Sequence, residues 1–398
     1  MISFLSQVKP LLFLVMIFFL NILSRIVLSP LMPTIEKDLK IGHGQAGSLF
    51  LLISLGYCVM LLASGFVSSW LNHRRTIILS SMAVGGALLA VSISRNLWGI
   101  YFGLFILGMA AGLYLPSGIA TVTGLVDSRH WGRAIAIHEL APNLSFVVAP
   151  LLAEALLGVC SWRGVLALLG IASMLAGIVF VFFGKGGTFP GEAPNSKILR
   201  TILIEPSFWV MIALFTLGIG ASFGVYTMMP LFLVAEKGMD RAWANTLVAI
   251  SRIPTLGVSI LAGWVADRFG PKQTLRGVFM ATGMATLLLG LVPGSWIGLL
   301  VLLQSVLATS FFPAGFAILS RMGSTSIKNV AVSLTVPIGM LLGGGAIVAG
   351  IGIFGEMGAF SVGIALFGGL IFGGVILVRY LKFADDPIQT TRNLSSLP

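Results

Sequence analysis

Twelve apolar runs dominate the sequence, and they restrict the fold of the chain more than any other feature. Each run has about 20 residues, which as a helix crosses a bilayer hydrocarbon core about 30 Å thick. Of the 398 residues, 57% are hydrophobic and 9% are charged, whereas a soluble domain carries about 25% charged residues. Continuous runs favour helices over the alternating strands of a membrane β-barrel. The sequence therefore predicts an all-α integral membrane protein and excludes a soluble enzyme.

The runs fall into two sets of six. Spans are predicted near residues 11–33, 45–70, 76–94, 98–125, 132–158 and 164–183, and then near 207–234, 243–266, 275–292, 296–320, 329–352 and 357–380. Between the sets lies one long polar stretch rich in Gly and Pro, which is typical of a linker. We therefore predict an N-terminal six-helix bundle at 1–183, a cytoplasmic linker at 184–205, and a C-terminal bundle with a short cytoplasmic tail at 206–398.

The net charge of +11 follows from where the basic residues lie. With both termini inside, sixteen of the 24 Lys and Arg residues fall in cytoplasmic segments and six fall outside. This asymmetry is the positive-inside signal of membrane topology. It predicts a multi-pass protein of a bacterial cytoplasmic (inner) membrane with both termini cytoplasmic. A nucleic-acid partner is not needed to explain the charge, and the lipid bilayer is the expected surrounding.

The two halves carry matching elements. Pro116-Ser-Gly-Ile-Ala in the fourth span aligns with Pro313-Ala-Gly-Phe-Ala in the tenth at an offset of 197 residues. Gly65, after the second span, aligns with Gly263, after the eighth, at an offset of 198. Similar offsets of about half the chain indicate parallel repeats, as in many transporters.

The segment GWVADRFGPK at 263–272 resembles the loop motif of the major facilitator superfamily. Other similar segments are PLMPTIEKDL at 30–39, DSRHWGRA at 127–134 and the Ser-Trp-Arg-Gly run at 161–164. The resemblance implies two pseudo-symmetric six-helix bundles around a central path. It also implies a cytoplasmic gate latch made by Asp267 and Arg268 between the motif glycines Gly263 and Gly270. The first copy of the motif, GFVSSWLNHRR at 65–75, has Ser69 where the acid is expected.

Two arginines lie inside predicted spans, Arg25 in the first and Arg252 in the eighth. A charge at this depth costs about 2.5–3.5 kcal/mol on insertion scales, so it usually faces a cavity and has a function. Guanidinium groups from opposite halves suit a carboxylate or phosphate, which accepts paired hydrogen bonds. We predict that the pair binds an anionic substrate. The alternative is that an intramolecular acid holds each arginine and merely fastens helices.

The fifth span contains a titratable pair, His138 and Glu139, just before Pro142. Proline removes the hydrogen bond to the carbonyl of His138, so a kink is predicted there. Burial and nearby arginines shift the proton affinity of a carboxyl in opposite directions. Proton coupling through Glu139 and His138 is therefore predicted. The alternatives are a permanent salt bridge from Glu139 to Arg25 or Arg252 and direct contact of Glu139 with the substrate. Glu154, near the outer end of this span, is expected to be a solvated rim residue.

Uncharged polar side chains in the spans complete the predicted substrate site. Asn21 lies one helical turn before Arg25, and Asn143 one turn after Glu139. Further predicted substrate contacts are Tyr57, Tyr226 and Gln304, and Tyr114 is a related candidate. Such residues serve as often to join helices as to bind a ligand. The glycine-rich run at 339–345 is predicted to serve packing or hinge motion, because it lacks the Lys-Ser/Thr of a phosphate loop.

No enzyme signature accompanies these residues. The four histidines are scattered, the two cysteines define neither a disulfide framework nor a thiolate site, and no nucleotide-binding motif is present. Neither a metal nor a cofactor is predicted. The sequence predicts a monomeric secondary transporter of a small organic anion that works by alternating access with possible proton coupling. The alternatives are an exporter of drugs or amphipathic metabolites and a transport-inactive sensor or assembly partner with the same fold.

Overall fold

The computed structural model describes residues 4–192, 196–292, 294–320 and 325–381, and within them every regular element is helical. Twelve helices are long and apolar enough to cross a bilayer. Numbered α1–α12 in chain order, they are Val8–Leu39, His43–Leu71, His73–Ile93, Leu97–Leu125, Ser128–Leu157, Trp162–Phe183, Pro206–Ala235, Arg241–Phe269, Pro271–Leu291, Gly294–Leu319, Val330–Glu356 and Phe360–Tyr380. The predicted all-α membrane fold with twelve spans is confirmed.

Two segments are more helical than predicted. The first span continues to Leu39 instead of ending near residue 33, and it stops where Lys40 takes a left-handed conformation with φ 52°. The segment 30–39 is therefore part of α1. The predicted linker contains a short helix, Ser196–Ile204. This helix was not predicted, because the stretch around it is polar and rich in Gly and Pro. We call the side of the molecule that carries this linker the linker face, and the other side, where α1 ends, the opposite face.

Prolines divide two corresponding helices. α4 is interrupted at Leu113 and α10 at Ser310, in each case three residues before a proline, Pro116 and Pro313. Proline has no N–H to bond the carbonyl four residues earlier, and its ring crowds that carbonyl, so the helix breaks there. The two breaks are 197 residues apart, which is the offset predicted for the repeat.

The turns after α2 and α8 correspond in the same way. Asn72 and Gly270 each join two helices with a positive φ, 71° and 85°. Glycine adopts this conformation freely, and asparagine tolerates it better than most residues. Asn72 adds a capping bond, because its side-chain oxygen accepts from the backbone N–H of Arg75. The offset of 198 residues supports the parallel relation of the halves.

The linker is docked on the first half. The backbone N–H groups of His73 and Arg74, which begin α3, donate to the carbonyls of Phe189 (3.2 Å) and Gly187 (2.7 Å). The first amides of a helix have no acceptor within the helix. In the first half, carbonyl groups of the linker therefore accept hydrogen bonds from these two amides. This is the half whose loop motif has Ser69 in place of the expected acid.

α2 and α4 pack with their backbones in close contact. A Cβ atom built on Gly108 would lie 2.1 Å from the carbonyl oxygen of Ile53, and one on Gly56 would lie 2.1 Å from that of Phe105. Small residues at such crossings are typical of membrane helix pairs. The glycine run of α11 is also a packing feature, since a Cβ on Gly343 would lie 2.5 Å from the carbonyl oxygen of Thr216 in α7.

Among the described residues, the first six and last six spans meet most extensively through three helix pairs, α1–α7, α2–α11 and α5–α8. Residues at this seam belong to helices of opposite halves, so any movement of one half relative to the other changes their contacts. The exact division into bundles at 1–183 and 206–398 stays a prediction.

Candidate functional site

Arg25 lies deep in α1. It is 17 positions after Val8 and 14 before Leu39, which places it about 21 Å or more along the helix from either end at 1.5 Å per residue. The side chain is buried, and its guanidinium carbon lies 4.3 Å from the centre of the Tyr57 ring. Its Nε has no hydrogen-bond partner among the described residues. Two predicted site residues, one on α1 and one on α2, are thus brought together.

Arg252 lies 11 positions after Arg241, where α8 begins, and immediately before the break of α8 at Ile253–Pro254. It is buried, and one guanidinium nitrogen donates to the carbonyl of Ser222 in α7 at 2.5 Å. The guanidinium carbon lies 4.7 Å from the centre of the Tyr226 ring and 4.9 Å from that of Phe146. Phe146 belongs to α5, so this arginine sits at the seam between the halves.

Neither arginine is paired with an acid in the part of the chain that the structure describes, where ion pairs involve other residues. Each instead rests on an aromatic ring, a favourable cation–π contact that leaves N–H donors unused. The alternative that an intramolecular carboxylate holds both arginines is therefore wrong for these residues. A buried cation without a counter-ion favours binding of an anion from outside the chain.

The predicted break in α5 lies at the titratable pair. One helical segment ends at His138 and the next begins at Leu140, with Glu139 between them. His138 is buried, with 1% of its side chain exposed, whereas 46% of the Glu139 side chain is exposed. Nδ1 of His138 lies 3.3 Å from Oε1 of Glu139. Glu139 therefore pairs with its neighbour, and the alternative of a salt bridge to Arg25 or Arg252 is wrong in this conformation.

Tyr114 joins this pair to α1. Its hydroxyl donates to the carbonyl of Leu14 at 2.7 Å and lies 3.2 Å from Nε2 of His138. The ring of His138 stacks on Phe18, with centres 4.4 Å apart and planes within 9°. The imidazole is thus held in one plane by α1 and α4.

Three amides predicted to contact substrate are used within the protein instead. Asn21 donates to Ser80 Oγ (3.4 Å) and to the carbonyl of Ala111 (3.3 Å), so it joins helices of the first half. Gln304 donates to the carbonyl of Ala221 at 2.8 Å and is fully buried in the second half. Asn143 donates to the carbonyl of Glu139 at 3.0 Å, across the helix break. Helix packing thus supplies acceptors for the amide nitrogens of all three side chains, whereas Oε1 of Gln304 has no partner among the described residues.

The two latch residues of the motif, Asp267 and Arg268, are both exposed. The ion pairs formed among the described residues all involve other side chains. The guanidinium of Arg268 lies over the Trp264 ring on its own helix, 5.3 Å from the ring centre. No described atom lies within 4 Å of a Cβ atom built on Gly263, and Gly270 forms the turn between α8 and α9. The gating role of these four residues stays a prediction.

A polar cluster that the sequence did not reveal joins the halves toward the opposite face. Arg241 of α8 donates to Glu154 of α5 (3.1 Å) and to Thr34 of α1 (3.0 Å). Asn245 donates to the other oxygen of Glu154 at 2.5 Å and to the carbonyl of Pro30 at 3.2 Å. The expectation that Glu154 is a solvated rim residue is wrong, since only 18% of its side chain is exposed.

Two further hydrogen bonds cross the seam in the same region. Glu356 of α11 accepts from the backbone N–H of Gly44 in α2 at 3.1 Å, and Ser29 of α1 donates to the carbonyl of Thr227 in α7 at 2.8 Å. Together with the cluster of Glu154, Arg241, Asn245, Thr34 and Pro30, which we call the Glu154 cluster, they fasten the halves at the opposite face.

The family model of the Major Facilitator Superfamily matches residues 14–346, well over half of the chain. The chain belongs to the Major Facilitator Superfamily. As a member, it is a transporter with a small-molecule substrate and not an enzyme, in agreement with the resemblance of the loop motif.

Superfamily relatives with different substrates are similar to this chain at low identity. The 4-hydroxybenzoate transporter PcaK of Acinetobacter baylyi is 21% identical over 375 residues, which cover 84% of this chain and 79% of that protein. The multidrug resistance protein MdtL of Klebsiella pneumoniae is 21% identical over 261 residues, covering 64% of this chain and 66% of that protein. The relatives of this chain thus include both an organic-acid transporter and a multidrug resistance protein.

Solved structures of the superfamily share the fold. A bacterial homolog of the human lysosomal transporter Spinster, in an inward-facing and occupied conformation, superposes with a TM-score of 0.77. It is 15% identical, and the match covers 94% of this chain and 95% of that chain. The shared fold therefore covers nearly the whole protein, including residues outside the matched family segment.

Replacing Glu154 with Leu should loosen the opposite-face closure of this superfamily transporter. The substitution leaves Arg241 and Asn245 without their shared acceptor. The reporter is a cysteine introduced by Ser29→Cys, a position buried at the seam. We expect this cysteine to react with a membrane-impermeant maleimide roughly fivefold faster when Glu154→Leu is present than when it is absent. A fivefold change corresponds to the loss of about 1 kcal/mol of interface energy. The measurement is the labelling rate from the opposite face in a background with Cys58→Ser and Cys160→Ser.

The matched control is Asp38→Leu. Asp38 pairs with Arg163 at the same face, but both residues lie in the first half. Its removal should leave the labelling rate unchanged. Equal acceleration by both substitutions would mean that the Glu154 cluster has no special part in closing the seam.

Proposed function

We propose that this protein is a secondary transporter that carries a small organic anion across the bacterial cytoplasmic membrane by alternating access. The substrate would bind between the halves, with Arg25 and Tyr57 on one side and Arg252 and Tyr226 on the other. The protein would act as a monomer with both termini in the cytoplasm. Asp267, Arg268, Gly263 and Gly270 would form the cytoplasmic gate.

The observation that carries this proposal is the state of the two arginines. Both are buried, both come from helices at the seam, and neither has an acid partner among the described residues. Each has an Nε–H without an acceptor in that part of the chain. A carboxylate provides two acceptor atoms and the compensating charge, so it satisfies both deficits at once. An uncharged substrate can accept the hydrogen bond but supplies no compensating charge, and a cationic substrate adds to the positive charge.

The opposite-face closure supports a direction for the cycle. With the predicted topology, the linker face is cytoplasmic, and the conformation described here is closed to the outside through the Glu154 cluster. Substrate would then exchange with the cytoplasm in this state. Release of the cluster and closure of the motif loops near Asp267 would give the opposite state. Protons are proposed as the coupling ion, bound at Glu139 and His138.

Export of drugs is the second candidate, supported by the similarity to MdtL. Rings of Tyr57, Phe146 and Tyr226 could pack against an amphipathic molecule as well as against an aromatic acid. The arginines favour the anion, because a cationic drug would be repelled by both. A transport-inactive sensor with the same fold would bind a ligand without moving it, which the following experiment separates.

The test is uptake by purified protein in liposomes. We expect labelled 4-hydroxybenzoate, chosen because a relative is named for it, to enter faster than into protein-free liposomes and to be competed by other carboxylates. Cationic dyes should not enter. Uptake of the dyes without uptake of any carboxylate would establish the drug exporter instead, and binding without flux would establish the sensor.

A further inference from the structure

The tautomer of His138 follows from its neighbours. The Tyr114 hydroxyl has a single hydrogen, and it donates that hydrogen to the carbonyl of Leu14 at 2.7 Å. Toward His138 the same oxygen can only accept. Nε2 of His138, which lies 3.2 Å from it, must therefore carry a hydrogen. The stacking of the imidazole on Phe18 holds the ring in the plane that this bond requires.

Nδ1 of His138 is then the nitrogen that lacks a hydrogen in the neutral ring. It faces Oε1 of Glu139 at 3.3 Å. A bare nitrogen and a carboxylate oxygen both act as acceptors, so they repel each other at this distance unless a proton lies between them. The contact is satisfied by an imidazolium with a carboxylate, or by a neutral imidazole with a carboxylic acid. Both forms contain the same one additional proton.

The surroundings give this proton one route to water. His138 has 1% of its side chain exposed, whereas Glu139 has 46% exposed, so exchange occurs through the carboxylate. The titratable groups that face the pair are Tyr114 of α4 and, within electrostatic range of Glu139, Tyr57 of α2. Tyr57 is the ring on which Arg25 rests. On α5, the nearby Arg133 is exposed.

We propose that Tyr114 is a positioning residue that fixes the tautomer of His138, so that His138 and Glu139 bind one transported proton as a unit. This inference rests on the proposed function and adds to it how the coupling ion is held. On binding, a hydronium ion transfers a proton to Glu139 or Nδ1 and becomes water, so one O–H bond breaks as a new O–H or N–H bond forms. On release, the Glu139 carboxyl returns the proton to a water molecule. Proximity to Tyr57 and Arg25 links the proton to the proposed anion site.

The test removes one oxygen atom. In Tyr114→Phe, neutral His138 is free to place its hydrogen on Nδ1 and donate it to Glu139, so the pair no longer needs the extra proton. We expect the pH midpoint of proton-driven 4-hydroxybenzoate accumulation in liposomes to move toward acid by about one unit, the tenfold change that loss of one hydrogen bond to a charged group gives. Exchange of internal for external substrate should keep its rate. Tyr101→Phe, a tyrosine outside this arrangement on α4, should leave both properties unchanged.

A second variant keeps the inference testable if Tyr114→Phe folds poorly. Glu139→Gln changes a half-exposed side chain, and its amide can donate to Nδ1 but does not titrate, so it cannot bind or release the coupling proton. It should lose accumulation driven by a pH gradient and keep exchange. An unchanged pH midpoint in Tyr114→Phe, or normal gradient-driven accumulation by Glu139→Gln, would overturn the inference while leaving anion transport intact. Absence of anion transport by the wild-type protein would instead overturn the proposed function.

Discussion

Arg252→Gln should abolish transport of a carboxylate while the protein remains folded. The substitution removes a buried guanidinium that has no acid partner among the described residues, so no opposite charge is left unpaired by the change. Binding should weaken by about 30-fold or more, since buried contacts between charged groups are worth about 2–5 kcal/mol and 1.4 kcal/mol is tenfold. The measurements are the initial rate of 4-hydroxybenzoate uptake in liposomes and the unfolding temperature of the purified protein.

Two variants bracket this result. Arg25→Lys keeps the charge but loses the planar pair of donors and the stacking on Tyr57, so it should also be strongly impaired. Arg95→Gln removes an exposed arginine at the opposite face and should transport normally. Normal transport by Arg252→Gln would place the anion site elsewhere.

Gly108→Ala should destabilise the protein severely. The added methyl group would lie 2.1 Å from the carbonyl oxygen of Ile53 and 2.9 Å from the backbone nitrogen of Tyr57, and neither backbone atom can rotate away. Separating α2 from α4 to relieve this contact also displaces Tyr57, the ring beneath Arg25. Overpacking of this kind costs about 1–3 kcal/mol and occasionally more. We expect a lower unfolding temperature and loss of transport in the protein that remains folded.

Gly86→Ala is the matched control for this substitution. Gly86 lies in the neighbouring helix α3, and nothing stands within 4 Å of a Cβ atom built on it. It should be neutral or slightly stabilising, because alanine is a better helix former than glycine by up to about 1 kcal/mol. Similar unfolding temperatures for the two variants would show that the α2–α4 crossing relaxes easily.

The sequence predicted those parts of the structure that depend on local chemistry. Hydrophobic length determined the twelve spans, and proline chemistry determined the interruption of α5 at Glu139. The cost of charge in a bilayer identified Arg25 and Arg252, and the structure places both at buried positions beside the predicted tyrosines. Each of these inferences needed only a residue and its immediate neighbours.

Contacts between distant segments were not predictable in the same way. Glu154 and Arg241 are 87 residues apart, and nothing in either segment indicates the other. Asn21 and Gln304 have side chains of a type that often binds substrates. Their amide nitrogens instead donate to the carbonyls of Ala111 and Ala221 on other helices. The contact of Phe146 with Arg252 was not predicted, because nothing in the sequence distinguishes this phenylalanine from the other 26.

Ligand-induced thermal stabilisation of the purified protein tests the anion site most directly, because it requires neither a known direction of transport nor a known coupling ion. Benzoate, benzyl alcohol and benzylamine share one ring and differ in charge. The proposed site predicts that benzoate alone raises the unfolding temperature, by the equivalent of about 2.7 kcal/mol at 100 times its dissociation constant. The rise should vanish in the Arg25→Gln, Arg252→Gln double variant. Equal stabilisation by benzylamine, or a benzoate effect that persists in the double variant, would contradict anion binding by the two arginines.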